Sequence, residues 1–169
     1  MKKKTREKLI EILIFLLKFN LLAIPLYLLI FLNFSYPPLQ EFVATIAFHL
    51  LKFMNVEVSL KSSTILAVKG LNVAFIDVSM DCTGWKSLYA LFALTISTPK
   101  IKIKKKLVFL LFSLPCIFFF NIFRIAFTTY VYLMNPQSFE FVHNFFWQWG
   151  LILTILFSWV IFLKIEKMI

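Results

Sequence analysis

Long apolar runs, separated by short polar or basic segments, dominate the chain. Four of these runs approach the ~20 apolar residues that a helix needs to cross the hydrocarbon of a bilayer. They cover about residues 9–33, 85–101, 107–134 and 147–163. The second run is short, but the lysines that follow it can extend to the lipid headgroups. The pattern therefore predicts four transmembrane helices.

An amphipathic helix is predicted over residues 39–54, after the first span. Its apolar side chains recur at helical spacing, with charged and polar residues between them. Such a helix typically lies on a membrane surface with its apolar face toward the lipid, although a re-entrant segment would show a similar pattern. The apolar face is predicted to consist of Phe42, Ile46, Leu50 and Phe53.

Residues 56–78 change to the alternating pattern that is typical of strands. Two β-rich arms flank Lys69-Gly70, a pair suited to the turn of a hairpin. The unpaired backbone of a small hairpin is not tolerated in hydrocarbon, so we expect this segment outside the bilayer. There it would form a lid over a site or an edge that binds a substrate strand. A cap that only shields polar groups is an equally good interpretation.

Composition and charge support the membrane interpretation. The chain has 169 residues, of which 61% are hydrophobic and 22 are phenylalanine, more apolar side chains than a soluble domain of this size buries. Much of the net charge of +10 comes from basic clusters at residues 2–8, 100–106 and 164–167, at the ends of apolar runs. The positive-inside rule places such clusters in the cytoplasm. This distribution argues against a nucleic-acid-binding patch.

Together these features predict one polytopic domain over residues 1–169. Its fold class is an all-α integral membrane protein with about four transmembrane helices, an outer amphipathic helix and a small extracytoplasmic β-hairpin. Four spans place both termini in the cytoplasm and residues 34–84 on the outer side. The first apolar run is too long for a cleavable signal peptide, so we expect it to be retained. The predicted location is the cell membrane.

Three reactive or charged residues are predicted to meet at the outer face of the membrane. Cys82 lies at the entrance of the second span, and His143 lies just before the fourth. Arg124 is ~26 Å from the start of the third span, where a charge costs ~2.5–3.5 kcal/mol and needs a partner or a polar cavity. These groups suit acyl transfer, in which a thiolate attacks, a base moves the proton and a cation stabilises the oxyanion.

Neighbouring polar residues are candidates for supporting roles. Cys82 is at the N-terminal end of a predicted helix, where the dipole and the free amides favour a thiolate. Lys86, one turn further on, adds to this effect, and Asp81 opposes it. Asn121 lies one helical turn before Arg124 and extends a polar stripe along the third span.

Each of these residues also has an interpretation without catalysis. Cys82 can be a small buried side chain, Arg124 can extend to the outer headgroups, and His143 can be a solvated interface residue. Cys116 and His49 are assigned to packing and to the membrane interface. No metal and no cofactor is predicted, because one thiol and one accessible imidazole make a poor zinc site.

Three short motifs follow one another along the chain. They are Cys82-Thr83-Gly84, the segment Asn121-Ile122-Phe123-Arg124, and His143. In this order, on a polytopic chain, they resemble the exosortase/archaeosortase family of membrane transpeptidases. That family has a Cys-[Ser/Thr]-Gly motif at an outer membrane face, Asn-x-x-Arg in a later helix, and a His or Arg before the last span. The resemblance covers most of the chain after residue 40, and the surroundings of the cysteine look more like the archaeal branch.

The resemblance implies a membrane-embedded cysteine protease that acts as a transpeptidase. Its substrates would be exported proteins with a C-terminal tripartite signal: a short motif, a hydrophobic helix and a basic tail. Cys82 would be the nucleophile, Arg124 would stabilise the oxyanion or the thiolate, and His143 would be the general base and acid. Thr83 and Gly84 would complete the motif. A membrane lipid or a similar amine or hydroxyl would accept the acyl group.

Two other functions fit the sequence less specifically. One is a non-enzymatic assembly or transport subunit of the membrane, in which Arg124 pairs with Asp81 or with lipid phosphate. The other is a different membrane acyltransferase or protease, although the chain has neither Gly-x-Ser-x-Gly nor His-Glu-x-x-His. The variant Cys82→Ala should separate an enzyme from a subunit.

Overall fold

The computed structural model describes the backbone of residues 3–166 and the side chains of residues 5–143 and 149–166. Its helices are α1 (Lys3–Phe31), α2 (Pro37–Phe53), α3 (Trp85–Ser97), α4 (Ile103–Met134) and α5 (Trp147–Ile165). Its strands are β1 (Glu57–Lys61), β2 (Thr64–Lys69) and β3 (Asn72–Asp77). Short 3₁₀ turns cover Met80–Thr83 and Pro136–Ser138, and a π-helical turn covers Phe141–Phe146.

Two of the helices are long and apolar enough to cross a membrane. They comprise Thr5–Phe31 and Ile103–Met134, and a shorter apolar helix covers Trp149–Ile165. Many large apolar side chains on α1 are exposed, for example Leu13 at 70% and Leu17 at 61%. Such a surface needs lipid or another apolar partner around it. The structure is thus mostly helical, as predicted, while the number of spans stays a prediction.

Helix α3 is shorter than the predicted span of residues 85–101. It ends at Ser97, and Thr98 is extended because the proline that follows it disfavours helical geometry. Its 13 residues cover only ~20 Å, less than the ~30 Å of hydrocarbon. Lys106 of α4 closes this end by donating to the carbonyls of Ile96 (2.6 Å) and Thr98 (2.5 Å).

The predicted hairpin is part of a three-stranded antiparallel sheet with the order β1-β2-β3. Strands β2 and β3 pair from Lys69↔Asn72 to Thr64↔Asp77, and the loop between them contains Gly70 at φ +61°. The predicted hairpin lacked a third strand: β1 pairs with β2 along its whole length. Its alternation had the period of a strand but carried no information about its partner, which only the folded chain supplies.

Helix α2 buries a second face against the protein, in addition to the apolar face that was predicted to lie toward lipid. Phe42 (56% exposed) and Phe53 (85% exposed) point outward, while Ile46 and Leu50 are partly buried. The fully buried side chains of α2 are Val43, Ala44, Ala47 and Leu51. Small residues on this face allow a close approach to α4 and the sheet, which share one core with it. This packing gives α2 a protein partner in addition to any lipid that it contacts.

Two cores hold these elements in place. The first joins α2 and the sheet to the C-terminal half of α4, through residues such as Ile65, Val78 and Ile122. The second joins α3, α4 and α5, through Leu91, Leu110, Ile117 and Ile155. Helix α4 belongs to both cores. The 3₁₀ turn at Met80–Thr83 lies where the sheet leads into α3, and it contacts α2 and α4.

Candidate active site

A cavity of about 380 Å³ lies between strand β3, the C-terminal half of α4 and the segment that precedes α5. Cys82, Arg124 and His143 all line it, although they come from three separate parts of the chain. The complete lining is Ala74, Phe75, Ile76, Asp77, Cys82, Arg124, Ile125, Thr128, Thr129, Tyr132, Phe139 and His143. The structure therefore brings together the three residues that the sequence singles out.

Cys82 is half-buried in the 3₁₀ turn Met80–Thr83. Its amide donates to the carbonyl of Ser79 (3.0 Å), and the Ser79 hydroxyl lies 3.4 Å from the Cys82 sulfur. Cys82 was predicted at the N-terminal end of the following helix, whose span was predicted to begin at about residue 85. Gly84 is the N-cap of α3 and is left-handed, so Cys82 lies just ahead of the helix rather than within it.

Asp81 and Lys86 form an ion pair with each other, 2.7 Å between Oδ1 and Nζ. Both side chains are substantially exposed, at 72% and 41%, and neither lines the cavity. Their predicted effects on the thiol were opposite in sign, and the pairing brings the two charges together. The pair also argues against the structural role in which Asp81 neutralises Arg124.

Thr83 and Gly84 shape the turn that presents the thiol. The Thr83 hydroxyl is fully buried and donates to the carbonyl of Met80 (2.7 Å). Gly84 has φ +78°, and a Cβ there would lie 2.7 Å from Cγ of Asn121. Both the backbone angle and the lack of space require glycine at this position.

Asn121 is the residue that links this turn to α4. Its Nδ2 donates to the carbonyl of Cys82 (2.7 Å), and the side chain is only 1% exposed. The sequence placed Asn121 in a polar stripe beside Arg124, whereas the structure has it against the backbone of the cysteine turn. Its Oδ1 is buried and has no hydrogen-bond partner among the described residues. Asn121 thus joins α4 to the backbone of the turn that contains Cys82.

Arg124 lies one helical turn after Asn121, half-buried in the wall of the cavity. Its side chain lines the same cavity as the Cys82 thiol. No carboxylate of residues 5–143 or 149–166 lies within ion-pair distance of it. The arginine therefore faces a protein cavity instead of lipid tails, with its charge available to a group bound beside the thiol.

His143 belongs to the π-helical turn Phe141–Phe146 and is exposed. Its ring stacks on that of Phe139, with 5.2 Å between centroids and 17° between planes. The stack keeps the imidazole at the cavity wall. His49 is on α2, exposed, in edge contact with Phe48, and outside this cavity.

A family model described as transmembrane exosortase matches residues 7–163, almost the whole chain. The chain belongs to the transmembrane exosortase family. Membership indicates a membrane protein and a cysteine transpeptidase in general terms, acting on exported proteins with C-terminal sorting signals. No curated protein and no solved structure matches the chain. The match is to the family as a whole, so the archaeal-type branch stays a prediction.

The exosortase cavity also contains polar residues that the sequence reasoning missed. Thr128 and Tyr132 lie one and two helical turns after Arg124, a spacing from which they could have been found. Asp77 ends β3, and its Oδ1 accepts from the hydroxyls of Ser63 (3.2 Å) and Thr64 (3.5 Å). Nothing in the local sequence indicated that this carboxylate faces the same cavity as the cysteine.

A second, larger cavity of the exosortase lies between α4 and α5 and has a volume of about 620 Å³. Its walls are mainly apolar, and Cys116 is exposed within it. None of the three predicted catalytic residues lines it. Because both helices are strongly apolar, a groove of this kind suits lipid chains rather than chemistry. Cys116 therefore serves as a natural control for Cys82.

Proposed function

We propose that this exosortase cleaves the C-terminal sorting signal of exported proteins and transfers the remaining protein to an acceptor, with Cys82, Arg124 and His143 as catalytic residues. The observation that carries the proposal is their presence in one cavity, from three separate segments. A thiol, a cation and an imidazole within one small cavity match the groups that acyl transfer requires.

Cys82 is the nucleophile. Its sulfur attacks the carbonyl carbon of the scissile peptide bond, and the carbonyl π electrons move to the oxygen to form a tetrahedral oxyanion. The rigid turn around Cys82 supports this role, because hydrogen bonds from Thr83 and Asn121 hold its backbone. A nucleophile on such a support loses little free energy to reorientation when the substrate arrives.

Arg124 stabilises the negative charge, first on the thiolate and then on the oxyanion. Its presence in the same cavity as the Cys82 sulfur supports the first part. The second part follows from position, because the oxyanion forms next to the sulfur. A preorganised cation in a partly desolvated cavity stabilises developing charge more than the same cation would in water.

His143 moves the proton. It takes the proton of the thiol, and the resulting imidazolium gives it to the nitrogen of the leaving signal peptide when the C–N bond breaks. The thioester that remains is attacked by an amine or hydroxyl of the acceptor, whose proton passes to His143. The C–S bond then breaks, and the proton returns to the sulfur, so the enzyme is regenerated.

The finer topology also belongs to this proposal: four spans, both termini in the cytoplasm, and the cavity at the outer face of the cell membrane. Helix α4 supports it, since it is continuous from the basic cluster to Arg124, which lies ~26 Å along the axis from Leu107, near the outer end of ~30 Å of hydrocarbon. A substrate would place its hydrophobic helix beside these spans and its basic tail in the cytoplasm, with the cleavage motif at Cys82. A membrane lipid would be the acceptor, and the archaeal-type branch would apply.

The test compares Cys82→Ala with Cys116→Ala, each co-expressed with an exported reporter that carries a C-terminal sorting signal from the same genome. Cys82→Ala should insert normally but abolish processing, and a thioester intermediate should be trapped with the unmodified chain. Cys116→Ala should process at the normal rate, because its thiol lies in the apolar groove. Full processing by Cys82→Ala would leave the non-enzymatic assembly or transport subunit as the better interpretation.

A further inference from the structure

Strand β3 is an edge strand, with β2 on one side only. Four consecutive residues at its end, Ala74, Phe75, Ile76 and Asp77, line the cavity that contains Cys82. An edge strand carries backbone groups that no neighbouring strand pairs. Some of these groups face the cavity.

The register of the sheet determines which backbone groups of β3 face the cavity. The amide of Val78 donates to the carbonyl of Ser63 (3.0 Å), so this pair is of the hydrogen-bonded type. Hydrogen-bonded and non-hydrogen-bonded pairs alternate along an antiparallel ladder. Ile65↔Ile76 and Ala67↔Ala74 are therefore hydrogen-bonded pairs. The backbone groups of Phe75 point the other way, toward the open edge.

The side chains of β3 alternate between the two faces of the sheet, independently of the direction of its backbone groups. Ala74 is 5% exposed on the inner face, whereas the Phe75 side chain is 77% exposed on the outer face. The carbonyl of Asp77 is taken by the amide of Ser79 (3.0 Å). Within the described chain, neither the amide nor the carbonyl of Phe75 has a partner outside the strand pairing. Phe75 thus presents one donor and one acceptor beside the cavity.

We infer that the substrate binds as an added strand on the open edge of β3, pairing with Phe75, so that the scissile bond lies at Cys82. The inference rests on the proposed function and identifies how the cleavage motif is held. The occupant is an extended stretch of polypeptide, because its alternating amides and carbonyls match the spacing of an edge strand. Strand β1, at the opposite edge, does not line the cavity.

Backbone pairing has a consequence for selectivity. Hydrogen bonds to Phe75 read no side chain, so they would orient any extended segment and leave the choice of motif to side-chain contacts within the cavity. Pairing would also hold the scissile carbonyl in one orientation relative to the sulfur and to Arg124. Such orientation is a large part of the rate enhancement in acyl transfer.

The first test compares Phe75→Pro with Phe75→Ala. Both variants remove the ring, and proline also removes the amide at the open edge. This amide makes no bond to β2, and proline is tolerated at such positions. Alanine removes the ring and keeps the amide. We expect kcat/KM for the reporter to be roughly tenfold lower in Phe75→Pro than in Phe75→Ala, with alkylation of Cys82 by iodoacetamide unchanged in both. Equal kcat/KM in the two variants would overturn the inference.

The second test does not depend on the folding of a variant. A synthetic sorting-signal peptide from the same genome is N-methylated at one backbone position at a time and given to the unmodified enzyme. An added strand bonds at every second residue, so the penalty should alternate, roughly tenfold at one position and small at the next. A penalty without alternation overturns strand addition while cleavage of the unmethylated peptide still supports the proposed function. If the unmethylated peptide is not cleaved, both fail.

Discussion

Gly84→Ala is the substitution that most directly probes how the fold presents the thiol. The new Cβ would lie 2.7 Å from Cγ and 2.9 Å from Nδ2 of Asn121, and the backbone would keep φ +78°. Neither atom can move away easily. Asn121 is 1% exposed, so it is surrounded on all sides, and its Nδ2 already bonds the carbonyl of Cys82.

Two costs add up for Gly84→Ala. A left-handed conformation costs a non-glycine residue ~1–2 kcal/mol. Displacing Asn121 breaks a buried hydrogen bond, which costs a further ~1–3 kcal/mol when a partner is left unsatisfied. We therefore expect a loss of about 2–5 kcal/mol in the free energy of unfolding. Processing should fall on the order of 10²-fold, because a displacement of about 1 Å at a nucleophile has effects of that size.

Gly70→Ala is the matched control. Gly70 also has a positive φ of +61°, but a Cβ there meets nothing within 4 Å. This variant should lose only the ~1–2 kcal/mol of backbone strain and should process the reporter at the normal rate. Stability is measured by thermal unfolding in detergent micelles, and activity by processing of the reporter in cells.

A double-mutant cycle tests the cause. Asn121→Ala removes Cγ and Nδ2, the two atoms nearest to the new Cβ. Because the Asn121 Cβ stays 3.1 Å from the new Cβ, adding Gly84→Ala to that background should still cost more than Gly70→Ala, but less than it does in the unmodified chain. If Gly84→Ala is no less stable than Gly70→Ala and processes normally, the contact between Gly84 and Asn121 does not position the nucleophile.

Three further variants separate the roles of the charged residues. Arg124→Lys should insert normally but process the reporter at least roughly tenfold more slowly, because the point charge of lysine does not reproduce the planar guanidinium. Processing at the normal rate would mean that a positive charge alone suffices. Lys106→Met removes two hydrogen bonds to carbonyls at the end of α3 and should lower the free energy of unfolding by about 1.5–3 kcal/mol. The loss should appear as a lower Tm, and an unchanged Tm would contradict it. Asp81→Asn breaks an exposed ion pair and should change stability by less than ~1 kcal/mol with little effect on processing, so a large loss of processing would place the pair in the site.

Several features of the exosortase could be predicted because they depend on neighbours along the chain. Apolar runs predicted α1 and α4, since the length of hydrocarbon imposes a length on the helix. Alternation and Lys69-Gly70 predicted the turn between β2 and β3, because a two-residue hairpin loop needs a residue that accepts positive φ. The three motifs indicated the family, which the family model confirms.

Other features depend on contacts between distant segments, and these were missed or wrong. The pairing of β1 with β2, the buried face of α2 and the ion pair between Asp81 and Lys86 each follow from packing that has no local signal. The same is true of Asp77, whose carboxylate lines the cavity only because β3 lies beside α4. Hydrophobic period identifies an element but not the partner it packs against.

The sequence by itself determined the kind of protein, because membrane thickness, charge distribution and backbone chemistry act locally along the chain. Only the tertiary structure decided how the cysteine turn meets α4, where Gly84 leaves just enough room for Asn121 to hold the carbonyl of Cys82. That contact joins residues far apart in the chain, and the close packing around the buried Asn121 leaves no room for a larger residue at Gly84.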